Sequence, residues 1–172
     1  MEARGATSGE NDGHQNFTEH TIKDDFGGAR TVWAGDLDQD GDQDILYTNG
    51  DAFDYIPPQG RPWHGIQWLE NQGGLEFEFH RITNFTGATN VRAADMDNDG
   101  DLDLVAVSAF NIWEDPGSNS FIWLENSGDM EFIRHDITKD PTHLLTCEPG
   151  DFNQDGLMDV VTGGMHTYPP FD

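Results

Sequence analysis

The stretch "DLDQDGDQDIL" (residues 36–46) places aspartate at every second position around one glycine and then continues into an apolar, strand-like run. Closely similar stretches begin at Asp95 ("DMDNDGDLDLV") and at Asp151 ("DFNQDGLMDVV"). Carboxylates a few ångströms apart repel each other by about 1 kcal/mol or more per pair at the effective dielectric of a protein surface. Three such turns in one chain therefore predict a bound cation that neutralises each of them.

The sequence around these three acidic loops repeats as well. Each loop follows a short alternating segment, at 29–36, 88–95 and 144–151, and precedes an apolar run such as "DILYT" or "DLVAV". After the first two loops come "IQWLENQGG" and "FIWLENSGD", and then "FEFHRI" and "FIRHDI". The alternation, the β-branched and aromatic residues and the turns rich in Asn and Gly indicate four short antiparallel strands per repeat.

This repeat predicts an all-β fold made of β-propeller blades. Two blades are complete, within 29–82 and 83–137, and residues 138–172 supply the first half of a third. Residues 1–28 are interpreted as a tail with the outer strand of a preceding blade, because "ENDG" and "FTEHTI" match the turn and the fourth strand of the repeat. The chain thus holds about three blades, one of them split between its two ends. Propellers close with about four to eight blades, so a second copy or the remainder of a larger propeller is expected to complete the ring.

The acidic loops have the donors of calcium sites. Side-chain oxygens occupy the first, third, fifth and ninth positions, and the sixth is a glycine, which permits a sharp turn. The seventh position is once a leucine, which indicates coordination through its backbone carbonyl. Oxygen donors in this number favour calcium, whereas magnesium retains water and zinc favours His or Cys. The predicted ligands of about three calcium ions are Asp36, Asp38, Asp40, Asp42, Asp44, Asp95, Asp97, Asp99, Asp101, Asp103, Asp151, Asn153, Asp155, Leu157 and Asp159.

An EF-hand is excluded by the residues beyond each loop. Its loop needs a bidentate Glu at the twelfth position and helices on both sides. Here the twelfth position is Tyr47, Ala106 and Thr162, and the flanking segments are strand-like.

The loops, together with "WLENQGG…FEFHRI", resemble the FG-GAP/VCBS repeats of bacterial secreted proteins, and they are similar to the calcium-bearing blades of integrin α-subunit propellers. The resemblance covers residues 10–164. It implies a β-propeller with calcium between the first two strands of each blade, in an extracellular setting. Members of the family serve as adhesion modules, lectins and domains appended to enzymes such as polysaccharide lyases. The third repeat departs from the pattern at Asn153 and Leu157, so a weaker site is expected there.

Composition limits the classes of partner. The 172-residue chain has 33 acidic and 8 basic residues and a formal net charge of −25. Nucleic acid and anionic membranes are not expected partners, because phosphate binding requires a basic surface. The single cysteine, Cys147, rules out an intramolecular disulfide, and no apolar run is long enough to span a membrane. The opening segment 1–13 lacks the apolar stretch of a signal peptide.

Variable segments after the second strand of each repeat, at 51–65, 109–120 and 165–172, carry aromatic residues that would lie on one face of a propeller. They are candidates for stacking on sugar rings or on a partner protein, and the alternative is packing over the blades. The candidate ligand-binding residues are Tyr55, Trp63, His64, Trp113, His166 and Tyr168. Two "NFT" sequons make Asn16 and Asn84 candidate glycosylation sites if the source glycosylates secreted proteins.

Residues that recur with the repeat are interpreted as structural. Trp68 and Trp123 occupy the same place in the third strand and are expected in the core. Cys147 stands where the other repeats have valine, which predicts a buried thiol. Hydrogen bonding between strands explains a histidine that recurs in the fourth strand better than catalysis or zinc binding does. These histidines are His20, His80 and His135.

Together these features favour an extracellular, secreted or cell-surface, calcium-stabilised β-propeller repeat protein with a structural, adhesive or ligand-binding role. Glycans are one expected class of ligand. Strand pairing through the split blade would give a homo-oligomer, either a closed six-bladed ring or a filament. No nucleophile–base set or phosphate loop stands apart from the acidic loops, so an enzyme is not expected. The alternative is an accessory or partial domain of a secreted polysaccharide-degrading enzyme.

Overall fold

The computed structural model describes residues 4–26, 29–50 and 61–165. Within these residues the protein has twelve β-strands in four antiparallel sheets and contains no helix. The all-β prediction is therefore confirmed, with propeller-like blades that do not close into a ring within the described residues.

Each sheet is formed by consecutive strands. The N-terminal hairpin comprises β1 (Arg4–Asn11) and β2 (Phe17–Phe26). The first sheet comprises β3 (Ala29–Gly35), β4 (Asp44–Asn49), β5 (Gly65–Asn71) and β6 (Phe77–Asn84). The second sheet comprises β7 (Ala88–Ala94), β8 (Asp103–Ser108), β9 (Phe121–Asn126) and β10 (Phe132–Thr138). The C-terminal hairpin comprises β11 (Leu144–Gly150) and β12 (Asp159–Gly164).

The N-terminal hairpin holds one strand more than the sequence predicted. Its register pairs Asn11 with Phe17, as Asn71 pairs with Phe77 in the first sheet, so β1 is the counterpart of a full third strand. The segment 4–11 is polar and has no apolar alternation. Its strand conformation therefore comes from backbone pairing with β2, which periodicity does not detect.

The sheets pack face to face in chain order, with one apolar layer between each pair. Ile22 of the N-terminal hairpin packs against Tyr47 and Leu69 of the first sheet. A larger cluster, including Trp68 and Leu104, lies between the first and second sheets. A third cluster joins the second sheet to the C-terminal hairpin, and its buried residues are Val105, Val107, Leu144 and Cys147.

Strand β8 explains why the run after each acidic loop is apolar without interruption. Leu104 and Ala106 contribute to the layer shared with the first sheet, whereas Val105 and Val107 contribute to the layer shared with the C-terminal hairpin. A strand covered on both faces needs apolar residues at every position, because alternate side chains point to opposite faces.

Two outer faces lack this cover. Val32 in β3 is 61% exposed, although its counterparts in the repeat, Val91 and Cys147, are fully buried. Val161 in β12 is 53% exposed, although its counterparts Leu46 and Val105 are buried. The described residues thus expose one apolar face on the first sheet and another on the C-terminal hairpin.

Candidate metal centres

The three acidic loops connect the first two strands of the first sheet, the second sheet and the C-terminal hairpin, and they share one backbone conformation. The fourth position has a left-handed φ of 63° at Gln39, 64° at Asn98 and 64° at Gln154. The glycine at the sixth position has φ of 102° at Gly41 and 99° at Gly100. Residues with a Cβ rarely adopt the φ values of Gly41 and Gly100, so the glycine at the sixth position is a requirement of the turn.

Backbone N–H groups hold the side-chain oxygens toward the inside of each loop. In the second loop, the N–H of Asp99 donates to Asp95 Oδ1 and Asp97 Oδ1, both at 3.2 Å. The third loop repeats this pattern, since Asp155 N–H donates to Asp151 Oδ1 at 3.1 Å and to Asn153 Oδ1 at 2.8 Å. The second and third loops therefore build the same arrangement of oxygens. In the first loop Asp40 N–H donates to Asp38 Oδ1 at 3.2 Å, and Gly41 N–H donates to Asp36 Oδ2 at 3.0 Å.

The first, third and fifth positions converge on one point. Carboxylate oxygens of Asp36, Asp38 and Asp40 all lie within 4.8 Å of one another, and those of Asp95, Asp97 and Asp99 do the same. The Oδ1 atom of Asp36 is buried and lacks a hydrogen-bond partner. A buried carboxylate oxygen without a donor is costly, and an oxygen-seeking cation would satisfy it. The donor set therefore fits calcium.

The aspartate at the ninth position joins the loop to the rest of its sheet. Asp44 is 1% exposed, and its two oxygens accept from the backbone N–H groups of Leu37 at 3.0 Å and Asn71 at 2.8 Å. Asp103 accepts in the same way from Met96 at 3.1 Å and Asn126 at 2.7 Å. Neither Asp44 nor Asp103 belongs to the convergent clusters of the first, third and fifth positions.

The third loop has only half of this support. Asp159 accepts from Phe152 N–H at 3.2 Å. In the two complete sheets the second donor is an Asn that ends the third strand, and the C-terminal hairpin contains only counterparts of the first two strands.

The seventh position is placed by its backbone. The N–H groups of Asp42, Asp101 and Leu157 each donate at 2.9 Å to the carboxylate at the fifth position of their own loop. The convergent carboxylate clusters do not include Asp42 or Asp101. Leu157 is 59% exposed, so its apolar side chain adopts the same loop conformation without entering the core.

Electrostatic strain accompanies this clustering. Burial raises the pKa of the Asp38 carboxyl; a hydrogen bond from Asp40 N–H opposes the rise, and the charges of Asp44, Asp40 and Glu70 add to it. Burial also raises the pKa of Asp103, against the hydrogen bonds from Asn126 and Met96. A divalent cation would relieve both effects by favouring the charged forms.

Hydrogen bonds link successive loops, and the sequence analysis did not predict them. The side-chain amide of Gln39 donates to the carbonyl of Gly100 at 2.7 Å, and that of Asn98 donates to the carbonyl of Gly156 at 3.3 Å. The signal is present in the sequence, because the fourth position carries a side-chain amide in all three loops. The loops therefore lie in a row at one edge of the stacked sheets.

Three of the six candidate ligand-binding residues lie among the described residues. Trp63 is 39% exposed, and the Arg61 guanidinium lies 5.9 Å from its ring centroid. His64 is 2% exposed and its Nδ1 accepts from Gly87 N–H at 3.4 Å, so this side chain packs against the segment between β6 and β7, as the alternative for these segments expects. Trp113 is half-buried against the His143 ring, with centroids 5.5 Å apart. The other candidates, Tyr55, His166 and Tyr168, lie outside the described residues.

Both sequon asparagines are exposed and hydrogen-bonded. Asn16 donates from Nδ2 to Asp12 Oδ2 at 2.7 Å. Asn84 accepts at Oδ1 from Arg81 Nε at 3.0 Å. Glycosylation at either position stays a prediction.

Residues 55–106 match the family model of the FG-GAP-like repeat. Over these residues the chain is similar to an FG-GAP-like repeat. The match runs through β5, β6 and β7 and takes in the second acidic loop and most of β8, so the matched segment begins in the first sheet and ends in the second. The resemblance to this repeat family is thereby confirmed over residues 55–106. A search of curated proteins found no match. Among the described residues there is no helix able to cross a membrane.

Proposed function

We propose that this FG-GAP-like repeat chain is an extracellular β-propeller domain stabilised by calcium, with a structural, adhesive or ligand-binding role and no catalytic one. The observation that carries the proposal is one loop conformation that recurs three times, with carboxylate oxygens that converge in the first and second loops. Trp63, exposed beside Arg61, is the described residue best suited to contact a glycan or protein ligand.

Calcium would be held by the side-chain oxygens at the first, third, fifth and ninth positions and by the carbonyl at the seventh. When bound, the ion supplies two positive charges against three or four carboxylates. Extracellular calcium modules have Kd values of about 10⁻⁴–10⁻³ M. At a calcium concentration of about ten times Kd, each site adds about 1.4 kcal/mol, and three sites add about 4 kcal/mol. This is a large share of the stability of an ordinary domain.

A calcium titration followed by thermal melting and calorimetry tests this proposal. The expected result is a melting temperature that rises with calcium, a chelator that reverses the rise, and binding of about three ions. Magnesium serves as the control and is expected to stabilise much less, because it retains its waters. A melting temperature that does not respond to chelator would refute the proposal.

We further propose that the two hairpins complete each other in a second copy of the chain. The exposed valines are the first support. Val91 and Leu46 lie in one buried cluster, and Cys147 Sγ lies 3.6 Å from the Val105 carbonyl, so the two repeat positions meet wherever sheets stack. Val32 of one copy would meet Val161 of another in the same way. The two exposed faces are thus complementary parts of one interface.

The second support is Asp159 of the third loop, which accepts one backbone hydrogen bond where Asp44 and Asp103 each accept two. Asn11 ends β1 where Asn71 ends β5 and Asn126 ends β9. If β12 of one copy pairs with β1 of the next, Asn11 N–H is the donor that Asp159 lacks within its own hairpin. Gln154, at the fourth position of the third loop, would likewise reach the Gly41 carbonyl of that next copy. Two copies joined at both ends would make a six-bladed ring, and an open arrangement would make a filament.

Light scattering in saturating calcium tests the assembly. The chain is expected to form dimers or longer species, and Val32→Asp or Val161→Asp is expected to reduce these to lower mass. Mixing the two variants leaves one intact interface, so a dimer that cannot close or extend is expected. Leu75→Asp, which changes an exposed residue in the β5–β6 turn, is the control. A wild-type chain that stays strictly monomeric in calcium would overturn the proposal of a second copy.

A further inference from the structure

A histidine and a glutamate pair across the third and fourth strands of each repeat. The Nε2–Oε2 distances are 3.0 Å for His20–Glu10, 2.7 Å for His80–Glu70 and 2.6 Å for His135–Glu125. Because the pair recurs, it belongs to the architecture of the repeat, as the sequence predicted.

The first sheet alone adds a third group to this pair. The residue directly opposite Glu10 is Thr18, and the residue opposite Glu125 is Ile133. Opposite Glu70 stands Glu78. Thr18 and Ile133 show that the repeat tolerates neutral residues at this place. Like charges directly across two strands are destabilising, so the architecture of the repeat does not require Glu78.

Glu78 completes a compact group of ligand atoms. One nitrogen of His80 and one carboxylate oxygen each from Glu70 and Glu78 lie within 4.8 Å of one another. The His80 ring is stacked on Trp68, with centroids 4.6 Å apart, which restrains its orientation. The side chains of His80 and Glu70 are 35% and 23% exposed, so an ion could reach them from solvent.

The group lies in a groove between the first and second sheets. The groove has a volume of about 690 Å³, and Trp68, Glu70 and His80 form part of its wall. Asp129 and Glu131, from the β9–β10 turn, also line it. Arg81 also lines the groove, against four acidic residues, so the surroundings are predominantly acidic and a bound cation would keep a coordination position toward the groove.

We propose that Glu70, Glu78 and His80 bind one transition-metal ion of the zinc class. An imidazole nitrogen with two carboxylate oxygens is a ligand set of zinc and its neighbours, whereas calcium takes oxygen ligands. Tetrahedral bonds of zinc length separate ligand atoms by about 3.3 Å. The exposed Glu78 side chain needs only a small shift to reach that spacing, and the His80–Glu70 hydrogen bond opens to admit the ion. This site goes beyond the proposed function and shares no ligand with the three acidic loops.

The second sheet supplies matched variants. Glu78→Ile installs the residue of the second sheet in the first, and Ile133→Glu installs the third ligand in the second sheet. Both substitutions use residues that the same architecture already accepts, so folding is expected to persist. Because Asp38 of the first acidic loop also lines the groove, the titrations are done with zinc or cobalt in saturating calcium.

The wild-type chain is expected to bind one equivalent of zinc and to give a cobalt absorption spectrum with nitrogen and oxygen ligands. Glu78→Ile is expected to weaken binding at least tenfold, and Ile133→Glu to add a second equivalent. Unchanged binding in Glu78→Ile would place the ion elsewhere and overturn the proposal. So would an Ile133→Glu chain that binds no more metal than the wild type, or a wild type without zinc binding in calcium.

Discussion

Asp44 accepts a hydrogen bond from the backbone N–H of Asn71 at 2.8 Å and so connects the end of an acidic loop to the third strand of the same sheet. The second sheet repeats this contact between Asp103 and Asn126 at 2.7 Å. The ninth residue of the loop therefore has a structural task. The Asn side chain contributes to the same junction, since Asn71 Nδ2 donates to the Gln43 carbonyl at 3.0 Å.

Replacing Asp44 is expected to destabilise the protein more than replacing an exposed acid of the same loop. Asp44→Ala leaves the N–H groups of Leu37 and Asn71 without their acceptor, and a loss of about 3 kcal/mol in the free energy of unfolding is expected. Asp42→Ala, at an exposed position, is expected to change it by less than about 0.5 kcal/mol. Urea unfolding in calcium measures both, and equal losses would contradict a structural role for Asp44.

The third loop is expected to gain affinity when its third position is made acidic. Asn153→Asp places a carboxylate where the other two loops have Asp38 and Asp97, and charged oxygens bind calcium more strongly than an amide oxygen does. Calorimetric titration is expected to show one tightened site. Asp97→Asn is the reverse substitution and is expected to weaken one site, and a calcium isotherm unaffected by either change would argue against coordination at this position.

The link between loops is expected to make a measurable contribution. Gln39→Ala removes the hydrogen bond to Gly100 and is expected to lower stability by about 0.5–1 kcal/mol, since the bond is exposed. Gln154→Ala changes the same position of the third loop, whose partner would lie in another copy. It is expected to leave the stability of the monomer unchanged and to weaken assembly, as measured by sedimentation. The reverse ranking of the two variants would contradict the assignment of Gln154.

The thiol of Cys147 is expected to report on the contact between the second sheet and the C-terminal hairpin. The residue is fully buried, and burial raises the pKa of its thiol to about 12. The thiolate that alkylating reagents need is therefore scarce and inaccessible. In calcium we expect alkylation to be slow, and in chelator it should accelerate as the third loop loosens. Equal rates in both conditions would show that this contact does not depend on the ion.

Acid is expected to weaken the protein through His143. Burial lowers the pKa of this ring, which lies beside Trp113 and bonds to Thr142 Oγ1 at 2.8 Å. The folded state thus favours the neutral ring, so its contribution is complete above the ordinary value of about 6.5 and is lost as pH falls through the folded pKa. Stability measured between neutral and mildly acidic pH should fall less steeply in His143→Gln. His14→Gln, which replaces a histidine in an exposed turn, is the control.

Local sequence patterns predicted those features of the fold that depend on residues close together in the chain. The all-β fold follows from alternation and turn residues, and the loop conformation follows from glycine at the sixth position with aspartate around it. The buried state of Cys147 followed from its place in the repeat. The β1 strand was missed, because its polar residues are held by pairing with β2 and not by their own pattern.

The sequence by itself determined the repeating unit and its acidic loops, because turn geometry and strand alternation are encoded within a few residues. Only the tertiary structure decided which side chains meet across strands and between sheets. The contacts of Asp44 with Asn71, of Gln39 with Gly100 and of Glu78 with Glu70 and His80 all depend on strand register and on the stacking of sheets. The first two contacts join residues far apart in the chain, and the third depends on which residues stand opposite each other in one hairpin, so a local sequence pattern does not specify their geometry.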